Sequence, residues 1–80
     1  MNTFLGVTAG YHITSGNKNT IVGTYNGNEG GLDIRTSSNY VVLSDGDGNP
    51  ILYFTETGVA NFASNVSING TVTDKGFTIV

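Results

Sequence analysis

Short apolar pairs alternate with clusters of small polar residues along this chain, and two of these units are near copies of each other. Residues 2–6 read Asn-Thr-Phe-Leu-Gly and residues 19–23 read Asn-Thr-Ile-Val-Gly, so the phrase returns after 17 residues, and it does not appear a third time. Gly10 has its counterpart at Gly27. A repeat at fixed spacing indicates stacking of one unit on the next. Each copy predicts a short strand that ends at a turn glycine, and the strands at 3–5 and 20–22 are expected to stack in parallel because such short strands are not stable singly.

The clearest local element is a β-hairpin over about residues 40–55. Its arms read Tyr-Val-Val-Leu-Ser at 40–44 and Ile-Leu-Tyr-Phe-Thr at 51–55, and the link is Asp-Gly-Asp-Gly-Asn-Pro. Both arms have strong strand propensity and the link has the residues of tight turns. The arms are apolar almost throughout, which is typical of strands covered on both faces. In so small a chain, we expect the second cover to come from a neighbouring subunit.

Three further short strands are predicted after the hairpin, at 59–62, 65–68 and 77–80, and no segment keeps a helical period for three turns. We predict an all-β fold in which short-strand repeats stack in a homotrimeric β-prism or β-helix-like fibre. A Gly/Asn/Thr repeat region at 1–28 is followed by a hairpin and shaft segment at 29–80, and the two form one structural unit.

The apolar strands supply the residues that we expect in the core or between subunits, and residues 29–31 are expected to be a hinge. The chain also begins on a repeat phrase and stops on an apolar segment without the polar cap usual in stacked repeats. From this we expect an excised or partnered segment. The predicted core and interface residues are Val41, Val42, Leu43, Ile51, Tyr53, Phe62, Val66 and Ile68.

Composition narrows the class of protein further. The 80 residues suffice for one domain, and there is no cysteine for a disulfide or a thiolate metal site. Charged residues are 11% of the chain, against about 25% in ordinary soluble domains. Low charge with many small polar residues fits either a disordered linker or a β-structure with Gly and Asn at its corners, and the regular spacing of apolar residues favours the β-structure.

The charge distribution and the apolar runs exclude two kinds of partner. Net charge is −3, and Lys18, Arg35 and Lys75 are far apart in the sequence, so no basic patch for nucleic acid is expected. No run is long enough to suggest membrane insertion. Low charge suits close approach of identical chains, because there is little repulsion between them.

Two stretches resemble phage tail fibres and related trimeric surface fibres. The first comprises NTFLG at 2–6, AGY at 9–11 and TSGNKNTIVG at 14–23, and the second is DIRTSSNYVVLSDGDGNPILYF at 33–54. The resemblance implies a homotrimeric β-rich rod on a virion or extracellular surface. In such fibres this kind of segment often precedes an endosialidase-type intramolecular chaperone that drives trimer assembly and is then cut away. The implied function is a structural module that connects or presents a receptor-binding tip, with other fibre or virion proteins as partners and no cofactor.

The hairpin link offers a weak calcium candidate. Asp45, Asp47 and Asn49 alternate like the first ligands of a calcium loop, and the twelfth position would be Glu56. Asp and Asn are also the ordinary residues of Gly-rich turns, where their side chains bond to nearby backbone. The turn interpretation is favoured, and no metal site is predicted.

Other candidate residues give a second hypothesis, a small glycan-binding module on a host cell surface. Tyr11 and Tyr25 lie in or beside repeat corners and would stack on sugars if exposed. His12 is the only histidine, and three copies would bind a metal or anion only if they met at a trimer axis. Enzyme activity is not expected, since nothing in the spacing requires Asp33 to pair with another carboxylate.

Overall fold

A computed structural model describes residues 1–73 and residue 76. These residues form seven short strands and no helix, so the prediction of an all-β fold is confirmed. The described part of the chain therefore has no helix of the length and apolarity needed to cross a membrane. The strands are β1 (Thr3–Leu5), β2 (Thr20–Val22), β3 (Asn28–Glu29), β4 (Leu32–Asp33), β5 (Val41–Ser44), β6 (Pro50–Phe54) and β7 (Ala60–Phe62).

Five of the strands form one mixed sheet in the order β1-β2-β5-β6-β7. The two copies of the repeat phrase pair in parallel and in register, with Thr3 opposite Thr20. The parallel stacking predicted for these strands is confirmed. On the other side of β2, Thr20 lies opposite Val41, so β5 continues the parallel stack as a third layer.

The third layer was hidden in the sequence because both its spacing and its residues differ. The step from Thr20 to Val41 is 21 residues, four more than the step from Thr3 to Thr20. The longer turn of chain contains the two-stranded hairpin β3–β4. Gly30 and Gly31 have φ of 59° and 83°, and two successive positive φ values define a tight two-residue turn. The segment predicted as a hinge is thus the turn of a hairpin.

The corner that leads into each new layer repeats with the layers. Lys18 and Asn39, which directly precede Asn19 and Tyr40, have φ of 60° and 64°. The Lys18 amide donates to the Met1 carbonyl at 2.6 Å, and the Asn39 amide donates to the Asn17 carbonyl at 3.2 Å. Left-handed backbone is costly for a residue other than glycine and least so for Asn and Asp. These corners therefore have one conformation although their sequences differ.

Side chains on one face of the sheet form a small core with the links between the strands. Along the layers, Phe4, Ile21 and Val42 are aligned in one column, and the latter two are fully buried. Tyr25 and Ile34 complete the fully buried cluster. The side chains that pack around it are Ala9, Ile13, Leu32, Tyr40 and Tyr53.

The hairpin predicted at about 40–55 is confirmed as β5 and β6, which pair antiparallel with an irregularity between Leu43 and Ser44. The strand predicted at 59–62 is present as β7. The strand predicted at 65–68 is wrong, since these residues form no strand, and a short strand without a partner is not stable. The strand predicted at 77–80 lies outside the described residues.

The proposed boundary between 28 and 29 does not divide the sheet. β2 comes from the repeat region and β5 from the shaft segment, yet they are direct neighbours. The Ile34 amide also donates to the Gly27 carbonyl at 2.8 Å.

Candidate assembly surface

An asparagine at the start of each layer binds that layer to the next one. The Asn2 Oδ1 atom accepts from the Asn19 amide at 2.9 Å, and the Asn19 Oδ1 atom accepts from the Tyr40 amide at 2.9 Å. The Nδ2 groups donate to carbonyls of Gly16 at 3.2 Å and Ser37 at 2.8 Å. Asn19 is only 1% exposed, so all of its side-chain bonding capacity must be met inside the protein.

Glycines at the end of each layer allow the layers to approach closely. A Cβ atom on Gly6 would collide with the backbone of Gly23, and one on Gly23 would collide with Ser44. Ser44 takes the glycine position in the third layer. Its Oγ atom donates to the Val22 carbonyl at 3.1 Å and accepts from the Tyr25 amide at 3.0 Å. One hydroxyl thus joins β5 to both ends of the β2 corner.

The sheet face opposite the core is apolar and uncharged. Cross-strand pairing gives this face two rows that run across all five strands, and none of their ten residues carries a charge. We call the ten residues the outer face. One row is Leu5, Val22, Leu43, Leu52 and Phe62, and the other is Thr3, Thr20, Val41, Phe54 and Ala60.

The structure separates the predicted core and interface residues into distinct groups. Val41, Leu43 and Phe62 lie together on the outer face and are 38%, 41% and 53% exposed, whereas Val42 is fully buried on the opposite side. Tyr53 is partly buried and its ring stacks on Tyr40, with centroids 6.4 Å apart. The other three predicted residues are exposed and lie off the outer face: Ile51, Val66 and Ile68.

Tyr25 is buried, so it cannot contact a glycan as the sequence suggested. Its side chain is fully buried, and its hydroxyl donates to the Leu32 carbonyl at 2.6 Å. Burial raises the pKa of the Tyr25 hydroxyl, and the nearby Asp33 carboxylate adds to the effect. The corner that carries Tyr25 is covered by the longer turn of chain, a cover that the repeat spacing did not reveal.

Tyr11, by contrast, is 74% exposed. Its ring meets the exposed ring of His12 edge to face, with centroids 5.1 Å apart. The two rings form an exposed aromatic pair at the corner of the first layer.

The hairpin link is held by its own side chains. The Asp45 carboxylate accepts from the Asp47 and Asn49 amides, both at 2.9 Å, and from the Asn49 Nδ2 group at 3.1 Å. The hydrogen bond from the Asn49 side chain, followed by those from backbone amides, lowers the pKa of Asp45. Asp45 therefore serves as the acceptor of a turn. The described residues contain no group of three or more His, Cys, Asp or Glu suited to a metal.

The candidate carboxylate Asp33 is also engaged locally. It accepts from the Arg35 guanidinium at 2.9 and 2.8 Å. That hydrogen bonding lowers the pKa of Asp33 to about 2. Glu56 lies in the exposed turn after β6, and the described part of the chain has no pocket in which carboxylates would face a substrate.

Sequence reasoning missed the roles of Asn19, Ile34 and Ser44. A signal existed for the first of them, because Asn opens both copies of the phrase and a repeated amide at a layer start is suited to bonding along a stack. No comparable signal existed for the other two. They lie beyond the second copy, and their equivalence becomes visible only once the third layer is in place.

Comparison with protein-family models, curated proteins and solved structures finds no match to this chain.

Proposed function

We propose that this chain is a structural module of a homotrimeric fibre of the phage tail-fibre kind, forming a stiff β-rich rod that connects or presents a receptor-binding tip. The observation that carries the proposal is the outer face, an uncharged apolar sheet surface built on stacked parallel layers. Its partners are two further copies of the same chain, and other fibre or virion proteins would join at the ends of the rod. The setting is a virion or an extracellular surface.

The amount of exposed surface supports an additional cover. The chain exposes 5612 Å², whereas a compact monomer of 8.4 kDa exposes about 4,600 Å². The excess of about 1,000 Å² is similar to the roughly 800 Å² that each partner buries in a standard interface. Burial of the outer face between copies would remove surface of this size.

The absence of charge on the outer face favours identical partners. In a symmetric assembly each patch meets the same patches on its copies, so any charge placed there would face its own kind. Exposed apolar patches on a sheet mark interaction sites. An outer face of apolar residues and threonines meets both conditions.

The test is absolute mass in solution by light scattering after size exclusion, with circular dichroism on the same peak. We expect three times the 8.4 kDa of one chain and a β spectrum. Leu43→Asp places a charge on the outer face and should reduce the mass to that of one chain. Thr36→Asp, an exposed position off that face, should leave the trimer intact. A folded wild-type monomer would rule out the fibre proposal.

The exposed pair Tyr11 and His12 supports a second candidate, contact with host-surface glycan. Exposed aromatic rings offer an apolar face on which a sugar can stack, and the edge-to-face contact with His12 orients the Tyr11 ring. Glycan-array binding that Tyr11→Ala removes without changing the oligomer would establish this role. Binding that is unchanged in Tyr11→Ala, or absent from the wild type, would dismiss it.

A further inference from the structure

The parallel stack is unfinished on the side of β1. In the column of core side chains, Ile21 and Val42 are fully buried, while Phe4 is 37% exposed. In the neighbouring row of the outer face, Val22 and Leu43 are 39% and 41% exposed, while Leu5 is 67% exposed. The first layer thus exposes the apolar surface that each later layer covers with its neighbour.

The backbone of β1 is arranged to continue the ladder. The Thr3 amide donates to Asn19 at 2.9 Å, and the Leu5 carbonyl accepts from Gly23 at 2.8 Å. Thr3 and Leu5 therefore direct their peptide groups towards β2. Because these directions alternate along a strand, Phe4 directs its N–H and C=O groups to the opposite edge. An edge strand of this kind is a template for pairing.

The residues around β1 carry the features that join the existing layers. The Asn19 amide is capped by the Asn2 side chain, and the Asn2 amide occupies the same position one layer earlier. Gly6 has φ of 137° and no side chain, as Gly23 has at the contact between the first two layers. The same asparagine cap and glycine contact can therefore form once more.

We propose that the free edge of β1 is a docking surface for a further parallel turn of chain that carries the phrase Asn-Thr-apolar-apolar-Gly. Its Asn side chain would cap the Asn2 amide, its strand would pair with Phe4, and its apolar pair would cover Phe4 and Leu5. The occupant continues the contact that already exists between β1 and β2. This docking concerns growth along the stack and does not depend on the lateral trimer.

The test is a tandem variant in which a second copy of residues 2–18 is inserted directly before Asn2, giving 97 residues in place of 80. The denaturant dependence of unfolding scales with the surface that unfolding exposes. If the added turn docks, unfolding should remain one transition, with a slope about one fifth larger at equal protein concentration. Hydrogen exchange at the original Phe4 amide should slow by at least about tenfold.

The matched control carries the same 17 added residues in scrambled order. It should leave both the slope and the Phe4 exchange at their original values. Unchanged Phe4 exchange in the tandem variant, or an equal effect of the scrambled insert, would overturn the proposal. So would concentration-dependent protection of Phe4 in the original chain, because the edge would then bind a second copy. Solution mass, measured in parallel, reports separately on the trimer.

Discussion

The Tyr25 hydroxyl donates a 2.6 Å hydrogen bond to the Leu32 carbonyl, and this bond ties the corner after β2 to the small hairpin β3–β4. The Tyr25 ring is fully buried beside Ile21 and Val42. In a chain with only four fully buried apolar side chains, one aromatic ring supplies a large part of the core.

Removal of the Tyr25 hydroxyl and removal of its ring should have different effects. Tyr25→Phe keeps the ring and leaves the Leu32 carbonyl without its partner, so we expect a loss of about 1–3 kcal/mol in the free energy of unfolding. Tyr25→Ala also leaves a cavity and should cost about 3–5 kcal/mol. Urea unfolding followed by circular dichroism measures both. Tyr11→Ala, at an exposed site, should stay within about 0.5 kcal/mol, and equal effects at the two positions would contradict the buried placement.

Alkaline pH should destabilise the protein through the same residue. The pKa of Tyr25 is raised in the folded state above its unfolded value of about 10, so its contribution is fully present below pH 10 and is lost as the pH rises towards the folded pKa. For one such group the loss is about 1.4 kcal/mol per pH unit. Urea unfolding between pH 8 and about 11.5 tests this. Tyr25→Phe should flatten the alkaline decline, and an unchanged slope would show that Tyr25 does not cause it.

Gly6 should not accept a side chain. Gly6→Ala combines a positive φ with a collision against the Gly23 backbone, so we expect a loss of at least about 1–3 kcal/mol. The matched control is Gly46→Ala in the hairpin link, where an added Cβ meets nothing within 4 Å and φ is not positive. Thermal unfolding of the two variants should differ by several degrees. Similar midpoints would show that the first two layers are not in close contact.

Asn19 should be the most demanding polar position. Asn19→Ala removes the acceptor of the Tyr40 amide and the donor to the Ser37 carbonyl. Each buried group left unpaired costs about 1–3 kcal/mol, so we expect about 2–6 kcal/mol in the free energy of unfolding. Asn69→Ala, at an exposed position, provides the control. A mild effect at Asn19 would mean that water replaces the lost bonds.

Local sequence signals account for the elements that depend on neighbouring residues. The phrase at 2–6 and its copy at 19–23 indicated two stacked strands, because a strand and its turn glycine are properties of a few adjacent residues. The hairpin β5–β6 was equally accessible, since strand propensity and turn residues agree there. The strand expected at 65–68 failed for the same reason, because its apolar spacing did not specify a partner.

The candidate surface was only partly visible. Val41 and Leu43 were expected at an interface and lie on the outer face, but Val42 between them points to the core. Alternation along a strand separates them, and an arm that is apolar throughout does not show which parity faces inward. Leu5 and Val22 were missed because their place on the face follows from pairing across strands.

The sequence by itself determined that the chain is all-β, that two copies of a short strand stack, and that a hairpin follows, because strand propensity, turn chemistry and repetition are local. Only the tertiary structure decided that β5 forms a third parallel layer, that Tyr25 is buried, and that one sheet face is left apolar and uncharged. Those features depend on which segments meet in space. A 21-residue step with different residues fits the same stack as a 17-residue one, since backbone pairing and close glycine contacts tolerate that change and the sequence pattern does not record it.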